Sequence, residues 1–399
     1  MTSPRVLLVS TQPWNFGARL ARALGQAGFA VHGASPKGSL LARSGATSAW
    51  YRLRQWRLSE DLAAAARTAR PDIVVPCDDR SAGLLADLHT QPEFAALIEA
   101  SLGDASGYAV ARSKSAQVAL AAELGMPVPG TRHVENRTDF EAALAEAPLP
   151  RVLKSDGTWG GTGVTVIHRL DEAGHAWERA MRRMGFADAG KLALRERSIR
   201  PFVERRRWQP STPDLQEFVQ GRPANRAVVC HRGRVLAGLS VEVLETNYPN
   251  GPASVVRVTD HPDMARTAEA MVARLSLSGF LGFDFVLDER SGRALFIEMN
   301  PRATPISHLS GPEGGVGLSA ALLAAVTGAP AEPVLPEAGE EIALFPGEWS
   351  RNPESAWLRR SRHDVPWDDP GLLRAYLEET ASALAYERMK GRILRAVGR

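Results

Sequence analysis

Residues 293–302 read RALFIEMNPR, and three polar side chains of different chemistry end this apolar run at alternate positions. Alternate residues of a β-strand point to the same face, so Glu298, Asn300 and Arg302 are expected to lie together. A carboxylate and an amide supply oxygen ligands for a hard metal ion, and a guanidinium beside them can bind phosphate or carboxylate oxygens. The segment therefore predicts a metal–nucleotide site at the end of a strand.

A neighbouring strand brings a second carboxylate to this site. Residues 279–300 read as a hairpin with its turn centred on Ser291, which places Asp284 directly opposite Glu298, with their Cβ atoms about 4.5–5.5 Å apart. Two such carboxylates repel each other, and their apolar neighbours make burial costly unless a divalent cation lies between them. With the Asn300 amide and phosphate oxygens they form an all-oxygen ligand set that suits Mg²⁺, or alternatively Mn²⁺. The other interpretation is that both acids are solvated on an open face.

Lys154 directly precedes a glycine-rich stretch, SDGTWGGTG at 155–163, that lies between two predicted strands. Glycines allow backbone N–H groups to wrap around a phosphate, and the lysine adds a positive charge. Gly160, Gly161 and Gly163 are therefore candidate nucleotide-binding residues. A plain hairpin turn would use the same residue types, so this stretch alone is not specific.

Lys114 begins a second pattern, a helix of about ten residues that Ser113 can cap. A cation in the first turn of a helix opposes the helix dipole by about 0.3–1 kcal/mol. A bound anion at that helix end would reverse the sign of this effect, which favours a phosphate site. An ordinary surface lysine is the alternative.

In their order along the chain these features resemble the ATP-grasp superfamily. Lys114 comes first, then Lys154 with its glycine-rich loop, LQEFV at 215–219, and Asp284 followed by IEMNPR. The resemblance covers roughly residues 1–330, and its specific part is IEMNPR with the upstream acid. It implies an ATP-grasp fold, α/β overall with an α+β catalytic part, and an N-terminal Rossmann-like pre-ATP-grasp domain.

For the nucleotide, the resemblance implies phosphate contacts from the two lysines and the glycine-rich loop. The segment Gln216–Val219 would form a hinge strand between two subdomains and bind adenine through backbone groups and a side-chain carbonyl. The implied ATP-binding residues are Lys114, Lys154, Gly160, Gly161, Gly163, Gln216, Glu217 and Val219.

For the reaction, the resemblance implies that Asp284, Glu298 and Asn300 bind one or two Mg²⁺ ions that bridge the β- and γ-phosphates. Arg302 would stabilise charge that develops at the reacting centre. Arg257 is a second catalytic candidate that could reach the γ-phosphate, with an ion pair to a surface acid as the alternative.

The chain departs from the family pattern at two places. GRPANR at 221–226 stands where many members carry a glutamate that binds the ribose, and Asn225 is the available polar substitute. RATPISH at 302–308 lacks the glutamate that biotin carboxylases place after the motif arginine. Bicarbonate chemistry on biotin is therefore not expected.

Short β-branched runs alternate with helical patterns near the N-terminus, which indicates a parallel α/β sheet. The first strand–helix turn, STQPWNFG, lacks the G-x-G-x-x-G pattern, so no dinucleotide site is expected there. We expect four parts: a pre-ATP-grasp domain at 1–110, a small ATP-grasp subdomain at 111–215, a large subdomain with the metal site at 216–330, and a linker with a C-terminal helical tail at 331–399.

The composition excludes several other classes of function. A formal net charge of +3 over 399 residues gives no indication of specific nucleic-acid binding. No stretch approaches the roughly 20 apolar residues that a transmembrane helix needs. Cys77 and Cys230 lie in apolar runs, as reduced core thiols of a cytoplasmic protein do. We expect a cytoplasmic protein whose partners are small molecules; the sequence does not indicate an oligomeric state.

The resemblance implies a ligase in which a substrate carboxylate attacks the γ-phosphate of ATP, forming an acyl phosphate. An amine, or less often a thiol, then displaces phosphate. Two alternatives remain: a small-molecule kinase of the same fold, and a nucleotide-binding regulator without turnover. Candidate substrate-facing side chains, each with a purely structural alternative, are Trp159, Glu242, Glu245 and His308.

Overall fold

The computed structural model of the chain describes residues 3–12, 16–146, 148–155, 163–196, 199–207, 212–248, 251–311, 315–330 and 332–380. Three sheets organise them, two of four strands and one of seven. Within these ranges, no helix combines the length and apolar character that a membrane crossing would need.

The N-terminal region forms a parallel sheet between helices, as the alternation of strand and helix patterns predicts. Its strands, β1 (Arg5–Val9), β2 (Ala30–Ser35), β3 (Thr47–Arg52) and β4 (Ile73–Pro76), lie in the order β3-β2-β1-β4. Its helices are α1 (Phe16–Ala27), α2 (Leu58–Ala69), α3 (Asp79–Leu88) and α4 (Pro92–Leu102), with 3₁₀ segments at Leu40–Ala42 and Ala105–Gly107. Because the strand order reverses between β1 and β4, the loops after these strands border a crevice at the carboxyl edge of the sheet.

A second sheet is antiparallel and small. It is preceded by α5 (Tyr108–Ala111) and α6 (Lys114–Glu123), and its strands are β5 (Thr131–His133), β6 (Arg151–Lys154), β7 (Val164–Ile167) and β8 (Asp214–Glu217), in the order β5-β8-β6-β7. The helices α7 (Arg137–Ala145), α8 (Ala173–Met181), α9 (Phe186–Glu196) and α10 (Arg200–Arg207) and a 3₁₀ segment at Leu170–Glu172 complete this region. Phe140, Leu153 and Leu215 contribute to its core.

Two details differ from the predicted subdomain at 111–215. Strand β8 ends at Glu217, so the small sheet extends past residue 215. Helix α6 packs through Val118 and Ala121 into the core of the seven-stranded sheet rather than into that of the small sheet. Lys114 therefore belongs, by packing, to the large sheet.

The large sheet carries the predicted metal site. Its first five strands are β9 (Gly221–His231), β10 (Arg234–Thr246), β11 (Ala253–Thr259), β12 (Gly279–Asp288) and β13 (Ala294–Asn300), with α11 (Pro262–Leu275) between β11 and β12. Helix α12 (Leu318–Thr327) follows β13, and Leu318 and Leu322 pack in one core with Val6 and Leu20 of the N-terminal region. The N-terminal sheet and the large sheet thus share a hydrophobic core.

The prediction that residues 331–399 form only a linker and a helical tail is wrong for their described part. Strands β14 (Glu341–Ala343) and β15 (Arg362–His363) extend the large sheet to the order β13-β12-β9-β10-β11-β14-β15, with α13 (Gly347–Arg351) and α14 (Trp357–Arg360) between them. A last helical segment, 370–380, buries Leu372 and Tyr376 against Ala18 of α1. Apolar burial on both partners makes this region part of the folded body.

Candidate active site

Strands β12 and β13 place Asp284 directly opposite Glu298, as predicted. The hairpin turn is not the symmetrical one that the prediction assumed: Asp288 donates its N–H to the Arg293 carbonyl oxygen at 2.9 Å, which is one residue out of the predicted register. A bulge at Ile297 corrects the offset before the acids are reached. The two carboxylates therefore share one face because of the bulge.

Two amide side chains bind the Asp284 carboxylate. Asn225, its direct pairing partner on β9, donates from Nδ2 to Oδ1 at 2.6 Å. Asn300 donates from Nδ2 to Oδ2 at 3.1 Å. Asn225, which the sequence suggested only as a ribose ligand, therefore contacts the pair Asp284 and Glu298 through Asp284.

Burial raises the pKa of Asp284 to about 7, and repulsion from Glu298 adds to this rise, while the hydrogen bond from Asn225 opposes it. A carboxyl group whose ionised form is this unfavourable lacks enough positive charge around it. Nearby cations therefore determine whether the acid pair is ionised.

Lys114 supplies part of that charge. Its Nζ lies 2.7 Å from Glu298 Oε2. Burial alone would lower the pKa of Lys114, but Glu298, Asp79 and Asp284 together outweigh burial and the pKa is raised. Ser113 caps α6 by accepting the Ala116 N–H, which confirms the predicted helix start.

Lys154, the last residue of β6, is half-buried and lies close enough to Glu298 and Asp284 to interact with them electrostatically. Burial lowers its pKa to about 8; Glu298 opposes this fall and Lys114 adds to it. Gly163 closes the glycine-rich stretch, and its carbonyl oxygen accepts the Ser155 N–H at 3.0 Å. Gly160, Gly161 and Trp159 lie outside the described residues. Two half-buried lysines thus approach one pair of acids from the large and small sheets.

The predicted hinge joins these two sheets. Gln216 is buried and donates from Nε2 to Thr131 Oγ1 at 3.0 Å, and Glu217 is exposed and closes β8. Val219 lies in the short connection between β8 and β9. The segment connects the sheet of Lys154 to that of Asp284, as a hinge must.

Arg302 is buried next to the acids and reaches the N-terminal region. It donates from Nε to Asp79 Oδ1 at 2.9 Å and from Nη2 to Asn300 Oδ1 at 3.0 Å. Burial alone would lower its pKa, but Asp79, with smaller contributions from Asp284 and Asp78, outweighs that effect and the pKa is raised. The guanidinium is thus held between α3 and the predicted metal ligands.

The structure corrects the predicted placement of Arg257, which lies outside this site. Its neighbour Val258 pairs with Val241, Val241 pairs with Asn225, and Asn225 pairs with Asp284. Directly paired residues point to the same face of a sheet, so Val258 shares the face of Asp284. Since successive residues of a strand point to opposite faces, Arg257 faces away from Asp284. Its guanidinium instead contacts Glu341 at 2.8 Å and Glu242 at 3.4 Å.

The other substrate-facing candidates also have structural partners. Glu242 pairs with Arg222 as well as Arg257. Glu245 accepts a hydrogen bond from Trp357 at 3.2 Å. His308 is buried, and its Nε2 lies 2.9 Å from Asp364 Oδ2. None of these three contacts requires a ligand.

The donor set fits a hard divalent cation that also binds phosphate. Across the described residues, no group of three or more His, Cys, Asp or Glu side chains is placed to hold a metal ion alone. Asp284 and Glu298 form a pair, and Asn300 adds an amide. Mg²⁺ typically takes one or two carboxylates and completes its shell with water and phosphate oxygens. Because the two carboxylates oppose each other directly and burial raises the pKa of Asp284, a cation between them would be favourable.

Sequence reasoning missed two residues of the site. Asp79 gave no signal, because its approach to Arg302 depends on how the N-terminal sheet packs. Gln117 lies one turn after Lys114 on α6 and looked like an ordinary helix residue. It is buried and binds both backbone groups of Met299, between Glu298 and Asn300.

Residues 198–305 match a family model described as an ATP-grasp domain. The carbamoyl phosphate synthase large chain of Campylobacter jejuni is 23% identical over 243 residues, 56% of this chain and 20% of that protein. The formate-dependent phosphoribosylglycinamide formyltransferase of Mannheimia succiniciproducens is 34% identical over 74 residues, 18% of this chain and 19% of that protein. The chain thus spans about a fifth of the length of these relatives.

Solved structures resemble the chain over most of its length. N5-carboxyaminoimidazole ribonucleotide synthetase from Thermus thermophilus has a TM-score of 0.61 at 16% identity, covering 84% of this chain and 81% of that one. The ATP complex of the corresponding Aspergillus clavatus enzyme scores 0.60 at 14% identity, covering 85% and 81%. The biotin carboxylase domain of Hydrogenobacter thermophilus 2-oxoglutarate carboxylase, bound to MgADP and bicarbonate, scores 0.58 at 13% identity, covering 86% and 74%. These likenesses confirm the predicted fold.

Proposed function

Since the chain carries an ATP-grasp domain, we propose that it is an ATP- and Mg²⁺-dependent ligase that joins a small-molecule carboxylate to an amine. An oxygen of the substrate carboxylate attacks the γ-phosphorus of ATP, the bond to the ADP oxygen breaks, and an acyl phosphate forms. The amine nitrogen then attacks the acyl carbon, loses a proton, and displaces inorganic phosphate. A thiol could replace the amine with the same balance of atoms.

One arrangement carries this proposal. Lys114 from α6, Lys154 from the small sheet and the facing acids Asp284 and Glu298 from the large sheet converge, although they lie far apart in the sequence. Lysines bind phosphate groups, and the acids with Asn300 supply oxygen ligands for a cation. A site with both cations and metal ligands matches the charge of a metal-bound nucleoside triphosphate.

Each residue has a role in this proposal. Lys114, Lys154 and the glycine-rich stretch that includes Gly163 hold the phosphates, and the hinge at Gln216, Glu217 and Val219 binds adenine. Mg²⁺ on Asp284, Glu298 and Asn300 would neutralise phosphate charge as the γ-phosphoryl group moves. Arg302 donates to oxygens on which negative charge develops at the reacting centre.

Ligands of the similar solved structures support the proposed nucleotide and metal. One solved structure contains ATP, and another contains MgADP together with bicarbonate, a small acid. Cys77 and Cys230 are buried free thiols, which is compatible with the reducing cytoplasm, where we place the enzyme.

The experiment is a screen of small carboxylic acids crossed with amines, with the full chain, ATP and Mg²⁺, in which ADP and free phosphate are measured separately. The proposal expects one pair that yields ADP, phosphate and a condensed product in equal amounts. ADP with a phosphorylated product and no free phosphate would indicate a kinase. Nucleotide binding in calorimetry without any turnover would indicate a regulator.

A further inference from the structure

The turn between β4 and α3 in the N-terminal region contacts the Arg302 segment at two points. The Ala303 N–H donates to the Pro76 carbonyl oxygen at 3.0 Å. Next to this contact, Arg302 Nε donates to Asp79 Oδ1 at 2.9 Å and Nη2 faces Asp79 Oδ2 at 3.4 Å. A guanidinium bound by both oxygens of a carboxylate is fixed in orientation as well as in position.

Asp79 is itself held rigidly. The preceding residue, Asp78, is fully buried and caps α3 by accepting the Ser81 N–H at 2.8 Å. Its other oxygen accepts the Thr11 N–H at 2.6 Å, so the loops after β1 and β4 are tied together. Asp79 is the first residue of α3, where the helix dipole favours a carboxylate.

The two partners differ in exposure, and the difference indicates which one depends on the other. The Arg302 side chain is 10% exposed and the Asp79 side chain is 40% exposed. A buried guanidinium needs fixed hydrogen-bond acceptors, whereas a carboxylate at a helix start can be solvated. Asn300, a predicted metal ligand, accepts a hydrogen bond from Arg302 Nη2. Hydrogen bonds therefore run from Asp79 in the N-terminal region through Arg302 to the predicted metal ligands.

We propose that Asp79 is a positioning residue that orients Arg302 toward the reacting centre. Through Asp79, the N-terminal region contributes to the catalytic site. The inference rests on the proposed function for the role of Arg302. Asp79 acts through Arg302 and need not touch the substrate.

Asp79→Asn is the diagnostic variant, because it keeps an acceptor for Nε and removes the charge. The matched control is Asp87→Asn on the same helix, where Asp87 makes an exposed ion pair with Arg112 at 3.2 Å. The first readout needs no substrate: phenylglyoxal modification of Arg302, followed by peptide mass spectrometry. Arg302 should react faster in Asp79→Asn than in the wild type and at the wild-type rate in Asp87→Asn. MgADP affinity by calorimetry should stay within about twofold in both, a change of less than 0.5 kcal/mol.

The second readout is turnover with a substrate pair from the screen. Asp79→Asn should lower kcat by about tenfold or more, with KM for ATP little changed. In an Arg302→Lys background the same change should have no further effect, because the residue through which it acts is already altered. Equal losses in both backgrounds, wild-type kcat in Asp79→Asn, or unchanged labelling of Arg302 would each overturn the inference. If the wild type turns over no pair while labelling still responds to Asp79→Asn, the ligase proposal fails and the positioning of Arg302 stands.

Discussion

Gln117 and Met299 are joined by two hydrogen bonds that hold α6 against the edge of the large sheet. Gln117 Nε2 donates to the Met299 carbonyl oxygen at 2.9 Å, and its Oε1 accepts the Met299 N–H at 2.8 Å. Met299 separates Glu298 from Asn300, and Gln117 follows Lys114 by one helical turn. The pair therefore fixes the lysine relative to the acids, and it also covers a strand edge that would otherwise be unpaired.

The change Gln117→Met should destabilise the protein and weaken the site. Methionine has a similar size but leaves buried backbone groups of Met299 and Ala111 without the amide, at about 1–3 kcal/mol for each unsatisfied group. Urea unfolding should show this loss, and calorimetry should show weaker MgADP binding. Glu123→Gln, an exposed change on the same helix, is the control and should stay within about 0.5 kcal/mol. Wild-type stability in Gln117→Met would contradict the role of this contact.

Removal of the Glu298 carboxylate, a proposed metal ligand, or of the Lys154 amine, a proposed phosphate contact, should nearly abolish turnover. Glu298→Ala and Lys154→Ala should each lower the rate of ADP release by about 100-fold or more, the effect that the loss of one preorganised charge has in other enzymes. The measurement is a coupled ADP assay with the substrate pair from the screen. Circular dichroism and thermal melting should show the folded state in both variants. Full activity in either variant would refute the site.

Arg257 provides the opposite test. It lies on the other face of the sheet from Asp284 and binds Glu341 and Glu242, so Arg257→Ala should leave turnover within about twofold of the wild type. The partly exposed ion pairs that it breaks should cost no more than about 1 kcal/mol. The same ADP assay and a urea melt measure both quantities. A tenfold fall in kcat would return Arg257 to the list of catalytic candidates.

Affinity for MgADP should depend on pH through Asp284. Its pKa in the folded protein is raised to about 7, so the folded state holds this proton more tightly than the unfolded state. In the metal-free protein, the contribution of Asp284 to stability therefore falls as the pH rises from about 4 to about 7. A cation needs the ionised form, so MgADP affinity should rise with pH, by up to tenfold per unit below the pKa, and level off above it.

Calorimetry in two buffers with different ionisation heats would count the protons released on binding. The same titration of Asp284→Asn measures the protons that the nucleotide itself releases. This variant should release fewer protons than the wild type, because it lacks the Asp284 carboxyl group. An affinity difference between the two proteins that stays constant from pH 5.5 to 7.5 would contradict this assignment, since Asp284 is expected to titrate within about a unit of pH 7.

The facing of the proposed metal ligands Asp284 and Glu298 could be predicted from sequence, because strand periodicity determines which side chains share a face. The pairing of Asp284 with Glu298 was correct even though the predicted turn was out of register by one residue, because the bulge at Ile297 compensates. The placement of Arg257 could not be predicted, for the converse reason. Its position relative to Asp284 depends on the pairing of three further strands, and no local pattern fixes that register.

Long-range packing explains what else was missed. Asp79 and Arg302 meet only because the N-terminal sheet and the large sheet share a core. The C-terminal strands β14 and β15 are three and two residues long, too short to show an alternating pattern. The ATP-grasp resemblance covered roughly residues 1–330, so it gave no guide to this region, and its apolar residues reveal their role only through burial against α1.

The attachment of the C-terminal region to α1 gives the last prediction. Asp364 is buried and accepts hydrogen bonds from Arg19 of α1 and from His308, each at 2.9 Å. Burial alone would raise the pKa of Asp364, but Arg19 and His308 outweigh it and lower the pKa to about 2. Asp364→Asn leaves the Arg19 guanidinium buried without its counter-charge, which should lower the unfolding free energy by about 3 kcal/mol at pH 7.

The matched control for Asp364→Asn is Asp368→Asn. Asp368 pairs with Arg22 of the same helix, but both side chains are more exposed, so its loss should cost less than about 1 kcal/mol. The stability that Asp364 contributes is present above its unfolded pKa and is lost as the pH falls through its folded pKa. Urea unfolding should therefore show the difference between wild type and Asp364→Asn shrinking between pH 4 and pH 2, since the folded pKa is about 2. An equal cost for both variants, or a gap that does not change with pH, would mean that the C-terminal region is attached mainly by the apolar contacts of Leu372 and Tyr376.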